Sequence, residues 1–231
     1  MNDEADMAPR HGSRREQLEL GVFLLLIVPP IALASLAGGS PHAFAISTVA
    51  TILHDVALTA LILFFVWTAG EPLASIGWTT RHLGREIALG VVLFLPMLAV
   101  LAAVGWLLHA AGLGAPHPPP AGFVPHAPGE RAFASLLVAV VAVAEETMFR
   151  GYLLLRLAAV TRSTAAAVAL STLVFAAAHT YEGPAGVVAV AVLAIVFARI
   201  YLWRKSLVAP IVLHFLQDFL GLVIAPWLAL H

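Results

Sequence analysis

The sequence predicts an all-α membrane protein, a bundle of about seven transmembrane helices around an intramembrane polar cavity. Hydrophobic residues make up 61% of the chain and charged residues 11%, with a mean hydropathy of +0.96. A soluble domain is about half apolar and about a quarter charged. The apolar residues form long continuous runs, each near the length of about 20 residues that one helical span requires. Because these runs lack the alternation of strands, we expect helices to satisfy the backbone in lipid.

Hydropathy divides the chain into seven apolar segments within a single membrane domain, residues 1–231. They cover about 18–37, 44–68, 86–112, 131–160, 164–181, 185–203 and 206–230. Pro29-Pro30 predicts a kink in the first segment. The ALA at 32–34 resembles a signal-peptide cleavage site, but the apolar run continues past it. We therefore expect a retained anchor that follows a cytoplasmic tail at residues 1–17.

The cations predict the orientation of the bundle. Ten of the 12 lysines and arginines fall at every second connection, Arg131 falls on the opposite side, and Arg150 lies inside a span. The ten are Arg10, Arg14, Arg15, Arg81, Arg85, Arg156, Arg162, Arg199, Arg204 and Lys205. The positive-inside rule then places the N-terminus in the cytoplasm and the C-terminus outside. The alanine-rich composition and short loops favour a prokaryotic plasma membrane.

Composition also excludes several classes of function. The chain has no cysteine, so it forms no disulfide, thiolate nucleophile or cysteine-ligated metal site. A net charge of −1 without a basic excess argues against nucleic acid as a partner. Two of the connections between apolar segments are long enough to have a structure of their own. Residues 71–86 are interpreted as an amphipathic turn at the membrane interface, with Trp78 at headgroup depth, and residues 114–130 as an irregular external loop.

Seven ionisable residues fall inside the predicted spans, where each is costly and indicates a functional site. They are Asp55, Glu145, Glu146, Arg150, His179, His214 and Asp218. Glu146 and Arg150 are four residues apart, and so are His214 and Asp218, so each pair lies on one helix face. At about 1.5 Å per residue, the three helices that carry these motifs bring their polar groups to a similar depth.

One carboxylate is left over after pairing. Glu146 and Arg150 can neutralise each other as a structural ion pair, and His179 alone would be an ordinary interior histidine. Glu145 lies about 100° around the helix from Glu146, so the two need not share a partner. A desolvated carboxylate near another negative charge binds protons more readily. Such a group can take a proton from water and return it to a leaving group.

Other interpretations of these residues stay open. Glutamate, histidine and aspartate are competent zinc or iron ligands, although no HExxH motif follows at His179. Buried carboxylates and histidines also form ion paths, but the half repeats and paired broken helices of transporters are not evident. A non-catalytic membrane partner protein is the third alternative. Asp55 beside His54 is interpreted as a separate satisfied pair and left out of the site.

Three motifs, in order and on separate apolar segments, resemble those of the CAAX-protease and bacteriocin-processing family. EETMFRG, which starts at Glu145, resembles the EExxxR motif of the family. FAAAH, which ends at His179, resembles its FxxxH motif, and HFLQD, which starts at His214, its HxxxN/D motif. SIGWTTR, before the third segment, also looks like this family. The resemblance covers about residues 130–220, which we expect to be the catalytic core.

The resemblance implies a fold, an activity and a set of roles. The family includes the Ras-converting type of CAAX prenyl endopeptidase, an intramembrane glutamic protease built as a helical bundle around a cavity. Glu145 would then be the general base for water, assisted by His179. Glu146 and Arg150 would orient the other groups, with Glu146 holding His214.

The same resemblance assigns His214 and Asp218 to the oxyanion site. The prenyl-protein enzyme has asparagine where this chain has Asp218. An ionised aspartate would repel an oxyanion, so Asp218 must be protonated or must act by orienting His214.

The sequence therefore predicts a metal-independent glutamic endopeptidase without a cofactor. Its partners would be the lipid bilayer and a membrane-associated peptide or protein substrate. The alternatives are a metal-dependent hydrolase that uses zinc on the same residues, and a non-enzymatic partner protein or transporter.

Overall fold

The computed structural model describes residues 14, 16–24 and 44–229, and within these ranges it is helical with no strand. Residues 16–24 form α1. The longer helices are α2 (Phe44–Thr68), α3 (Leu83–Ala110), α4 (Pro128–Glu145), α5 (Leu154–Thr161), α6 (Thr164–Ala178), α7 (Gly183–Arg204) and α8 (Val208–Asp218), followed by the short α9 (Ala225–Ala229). The all-α membrane bundle predicted from the sequence is confirmed.

Five stretches are long and apolar enough to cross a membrane. They are Ser47–Thr68, Leu83–Ala110, Pro128–Thr161, Thr180–Arg204 and Val208–Leu228. The fifth predicted segment forms α6, which has 15 residues and is shorter than these. Residues 25–37 of the first predicted segment, with the Pro29-Pro30 kink, lie outside the described residues. The count of seven spans and the orientation stay predictions.

Two of the helices continue through π-helical turns. Glu146–Leu153 is a π-helix that joins α4 to α5, and Phe219–Ile224 is a second one that follows α8 directly. Single π-helical turns inside α-helices are rare and occur frequently at functional sites. The EETMFRG motif enters the first π-helix at Glu146, and HFLQD ends where the second begins, so both wide turns adjoin candidate site residues.

The connection between α2 and α3 packs into the protein. Residues Leu73–Ile76 form a 3-10 turn whose Ile76 is fully buried. Trp78 Nε1 donates to Thr147 Oγ1 at 3.0 Å, and a Cβ atom added to Gly151 would lie 2.7 Å from the Ile76 carbonyl oxygen. This connection, predicted as an interfacial turn, therefore lies against the π-helix that carries Glu146.

Helix α8, which carries the third motif, is held closely by α3. Gly90 on α3 is buried, and a Cβ atom there would lie 2.7 Å from Val212 Cβ and 2.9 Å from the Ala209 carbonyl oxygen. Small residues allow such close approach between helices in membranes. The position of α8 thus depends on the missing side chain at Gly90.

Two ion pairs tie the ends of helices together on the side where most cations lie. Arg156 on α5 makes a bidentate pair with Glu71, at 2.8 and 3.1 Å. Arg204 at the end of α7 donates to Glu86 Oε1 through Nε at 3.0 Å and Nη2 at 2.6 Å. The planar guanidinium suits such two-bond contacts to carboxylates. These two ion pairs connect the residue Glu71 before α3 to α5, and the first turn of α3 to the end of α7.

Candidate active site

Glu146 is the central polar residue of the site. It is fully buried at the start of the π-helix. Its Oε1 accepts hydrogen bonds from Arg150 Nη1 and from His214 Nδ1, both at 2.9 Å. The contact that the resemblance implies between Glu146 and His214 is present. Since the π-helix that follows α4 carries Glu146 and α8 carries His214, one carboxylate joins the first motif to the third.

The Arg150 guanidinium lies between two aromatic rings. Its Cζ is 4.3 Å from the centre of the Phe175 ring and 5.1 Å from that of Phe197. A guanidinium over an aromatic face gains cation–π attraction, which increases when water is excluded. The buried Arg150 charge therefore faces Glu146 on one side and rings from α6 and α7 on the others, while its Nη2 has no hydrogen-bond partner in the described structure.

The other nitrogen of His214 faces two carboxylates. His214 Nε2 lies 3.6 Å from Glu145 Oε2 and 3.3 Å from Asp218 Oδ2. Asp218 is one helical turn beyond His214, as its spacing predicts. Both ring nitrogens of His214 thus face carboxylate oxygens, an arrangement in which both serve as hydrogen-bond donors.

Glu145 differs from Glu146 in its exposure and lacks the two hydrogen bonds that Glu146 Oε1 accepts, although Glu146 Oε2 is likewise buried without a hydrogen-bond partner among the described residues. The Glu145 side chain is 20% exposed, and its Oε2 is buried without a hydrogen-bond partner in the described structure. Asp218 is 33% exposed. The site therefore has a sealed side, formed by Glu146 and Arg150, and a more open side, formed by Glu145 and Asp218.

His179 contacts the other site residues indirectly, through Phe175. Its Nδ1 lies 2.9 Å from the Phe175 carbonyl oxygen, and since a carbonyl only accepts, Nδ1 is the donor. The neutral ring then keeps its Nε2 lone pair for another donor. The two rings are 4.7 Å apart, and the Phe175 ring is in turn 6.3 Å from that of His214. In the part of the chain that the structure describes, no hydrogen bond joins His179 to Glu145.

The position of Asp55 differs from the one that the sequence predicts. Asp55 was expected to pair with His54 outside the site, but in the described residues no ion pair joins the two, and His54 is exposed. Asp55 is only 6% exposed and lies close enough to Glu145 and His214 to interact with both electrostatically. The periodicity of α2 contains no signal for this, because a nearly all-apolar helix does not show which face meets α4.

Glu182 is a second residue that sequence reasoning did not place in the site. It follows His179 by three residues, on the 3-10 turn Thr180–Glu182. It interacts electrostatically with His179, Asp218 and Glu145. Its backbone carbonyl accepts a hydrogen bond from His117 N at 2.8 Å, which ties the 114–130 connection to this turn.

The six predicted site residues lie close together. Five of them form a chain of direct side-chain contacts, and His179 contacts this group through the ring of Phe175. The cluster contains a partly exposed carboxylate, a histidine with a free acceptor nitrogen and a doubly donating histidine. These are the groups that water activation and oxyanion stabilisation require. Among the described residues, no group of three or more histidine, aspartate or glutamate side chains has the geometry of a metal site.

Comparison with known protein families gives a match to part of the chain. Residues 128–220 match the family model described as Rce1-like, Type II CAAX prenyl endopeptidase Rce1-like. This stretch contains all three motifs, so the resemblance to the CAAX-protease family is confirmed, and it supports a membrane protease of the CAAX-endopeptidase type. No significant match is found among curated proteins or among solved structures.

Proposed function

We propose that this protein, which matches the CAAX-protease family over residues 128–220, is an intramembrane glutamic endopeptidase that needs no metal. Its substrate would be a membrane-associated peptide or protein. The observation that carries the proposal is the buried Oε2 of Glu145, which has no hydrogen-bond partner among the described residues and lies 3.6 Å from His214 Nε2. A carboxylate oxygen without a partner, beside a donor, is suited to bind and deprotonate a water molecule.

The hydrolysis balances with these groups alone. Glu145 takes one proton from water while His179 Nε2 accepts a hydrogen bond from the same water. The resulting hydroxide forms a bond to the substrate carbonyl carbon. The carbonyl oxygen becomes negative and receives the hydrogen bond of His214 Nε2–H. The carbon–nitrogen bond then breaks, and Glu145 returns its proton to the leaving amine.

In this mechanism Asp218 positions His214. Its Oδ2 lies 3.3 Å from His214 Nε2, on the open side of the ring. An ionised carboxylate there favours the doubly donating histidine, which removes the need for Asp218 itself to contact the oxyanion. With this role, an aspartate is compatible with a position where the resemblance leads us to expect an amide.

The test compares Glu145→Gln and His179→Ala with the native protein. Mass spectrometry of membrane peptides from cells should show fragments that need the native protein and are absent with either variant. Glu130→Gln, a change at the opposite end of α4, is the matched control and should keep the fragments. If Glu145→Gln yields the same fragments as the native protein, the proposal is wrong.

Chelation tests the metal-independent part separately. Purified protein should keep its cleavage activity after treatment with EDTA, and added zinc should not increase it. Loss of activity on chelation and its return with zinc would favour the metal-dependent hydrolase.

A further inference from the structure

A cavity of about 530 Å³ lies between α3, α7 and the start of the 114–130 connection, and Glu182 and Gln217, close in the chain to His179 and Asp218, also line it. Its apolar wall comes from both helices, through Leu101, Gly105 and Leu108 on one side and Ala189, Val190 and Leu193 on the other. Sites that take small molecules or peptide segments have volumes of about 300–1,000 Å³ and are mostly apolar with a few placed polar groups. The cavity fits this description.

Two polar side chains connect this cavity to the reacting groups. Gln217, next to Asp218 in the chain, lines it, and its Oε1 is buried without a hydrogen-bond partner in the described part of the chain. Glu182 also lines it and interacts electrostatically with His179 and Asp218. A buried oxygen without a partner is costly, so Gln217 indicates a ligand with a hydrogen-bond donor.

The charges indicate which part of a substrate the cavity holds. When a peptide bond is hydrolysed, one fragment gains a carboxylate and the other gains an amino group. The Glu182 carboxylate would repel the new carboxylate but attract the new ammonium group. The Gln217 oxygen can accept a hydrogen bond from a backbone N–H of the same fragment.

From this arrangement we propose that the cavity between α3 and α7 binds the substrate segment C-terminal to the scissile bond, with apolar side chains against its wall. This inference rests on the proposed endopeptidase function. Gln217 is the positioning residue, since it holds the backbone of the leaving segment, and Glu182 stabilises the amino terminus that the cleavage creates.

The first experiment narrows the cavity at Gly105. A Cβ atom at Gly105 meets no atom within 4 Å, so Gly105→Phe enters open space. Gly84→Phe is the matched control, because Gly84 is on the same helix and equally open but does not line the cavity. Both proteins are purified, incubated with a library of proteome-derived peptides, and their cleavage sites are read by mass spectrometry.

Gly105→Phe should shift the preference C-terminal to the scissile bond toward small residues and leave the preference on the N-terminal side unchanged. Gly84→Phe should match the native protein at both sides. An unchanged pattern in Gly105→Phe, or a change confined to the N-terminal side, would overturn the inference while the proposed function stands. Absence of cleavage by the native protein would instead count against the proposed function.

The second experiment tests the two polar groups. Gln217→Leu should raise KM about tenfold, the effect of one lost hydrogen bond of about 1.4 kcal/mol, with little change in kcat. Peptides with a free amino terminus should inhibit the native protein more strongly than their N-acetylated forms, and Glu182→Gln should remove this difference. Equal inhibition of the native protein by both peptide forms would contradict the assigned role of Glu182.

Discussion

At the scale of single residues, two adjacent glutamates have opposite environments. Glu146 is fully buried and accepts hydrogen bonds from Arg150 and His214 through Oε1, whereas the Glu145 side chain is 20% exposed. Oε2 of each glutamate is buried without a hydrogen-bond partner in the described structure. Full burial with charged partners gives Glu146 a structural task. Under the proposed function, the partly exposed Glu145 has a chemical task instead. The same side chain therefore serves two purposes at successive positions.

Stability measurements should separate these two glutamates. Glu146→Gln should lower the free energy of unfolding by about 3–5 kcal/mol, because it leaves the buried Arg150 charge without its carboxylate. Glu145→Gln should lower it far less, although it abolishes cleavage. Thermal unfolding in detergent, followed by circular dichroism, measures both variants. Equal losses of stability would contradict the distinction.

At the scale of elements, the site depends on how three segments meet the helices that carry the motifs. The connection between α2 and α3 contacts the first π-helix, α3 approaches α8 at Gly90, and the 114–130 connection is bound to the turn after His179. None of these segments supplies a group of the three motifs. They fix the positions of the helices that do.

The contact between Trp78 and Thr147 can be measured with a double-mutant cycle. Trp78→Phe and Thr147→Val each remove the 3.0 Å hydrogen bond, and its net value should be about 0.5–1.5 kcal/mol. The double variant should then lose less stability than the sum of the two single losses. Additive losses would show that this connection does not depend on the bond.

Gly90 offers a test of helix packing. Gly90→Ala places a methyl group against Val212 and Ala209 and should displace α8, with a stability loss of about 1–3 kcal/mol. Cleavage activity should fall as well, since α8 carries His214. Gly84→Ala, on the same helix with open space around it, is the control and should be neutral or slightly stabilising. Equal behaviour of the two variants would contradict the packing argument.

At the scale of the whole molecule, the arrangement of charge predicts which ends of the bundle face the cytoplasm. The ion pairs Arg156–Glu71 and Arg204–Glu86 contain arginines on the side that the positive-inside rule assigns to the cytoplasm. The connection 114–130 would then lie outside. Since the chain has no cysteine, single cysteines can be introduced without background labelling.

Two exposed positions test this orientation in intact cells. A membrane-impermeant maleimide should label His126→Cys in intact cells but should label His82→Cys only after the membrane is opened. The reverse pattern would place the N-terminus outside. Labelling of both in intact cells would contradict the predicted topology.

Much of the fold and of the candidate site could be predicted because both depend on short, regular spacings. Continuous apolar runs predict helices, and the i, i+4 spacing places Glu146 with Arg150 and His214 with Asp218 on common faces. These relations join residues that are close in the chain, so they can be predicted without knowledge of the tertiary structure. Because isolated charges in lipid are costly, the ionisable side chains of the three motifs are expected to contact one another.

What could not be predicted depends on contacts between distant segments. The role of Asp55 depends on which face of α2 meets α4, and an apolar helix in a membrane does not indicate that face. The Trp78 contact joins residues 69 positions apart. The π-helices leave no signature in periodicity, because a single wide turn is too short to establish a repeat.

The shortness of α6 has a consequence for the surrounding lipid. Its 15 residues span about 22 Å, whereas the hydrocarbon core of a bilayer is about 30 Å thick. Thinning of the bilayer beside the helix is one of the ways in which such a hydrophobic mismatch is accommodated. Because His179 directly follows α6, this thinning would carry the aqueous phase toward the candidate site, and under the proposed function the water for hydrolysis would reach it without a pore through the protein.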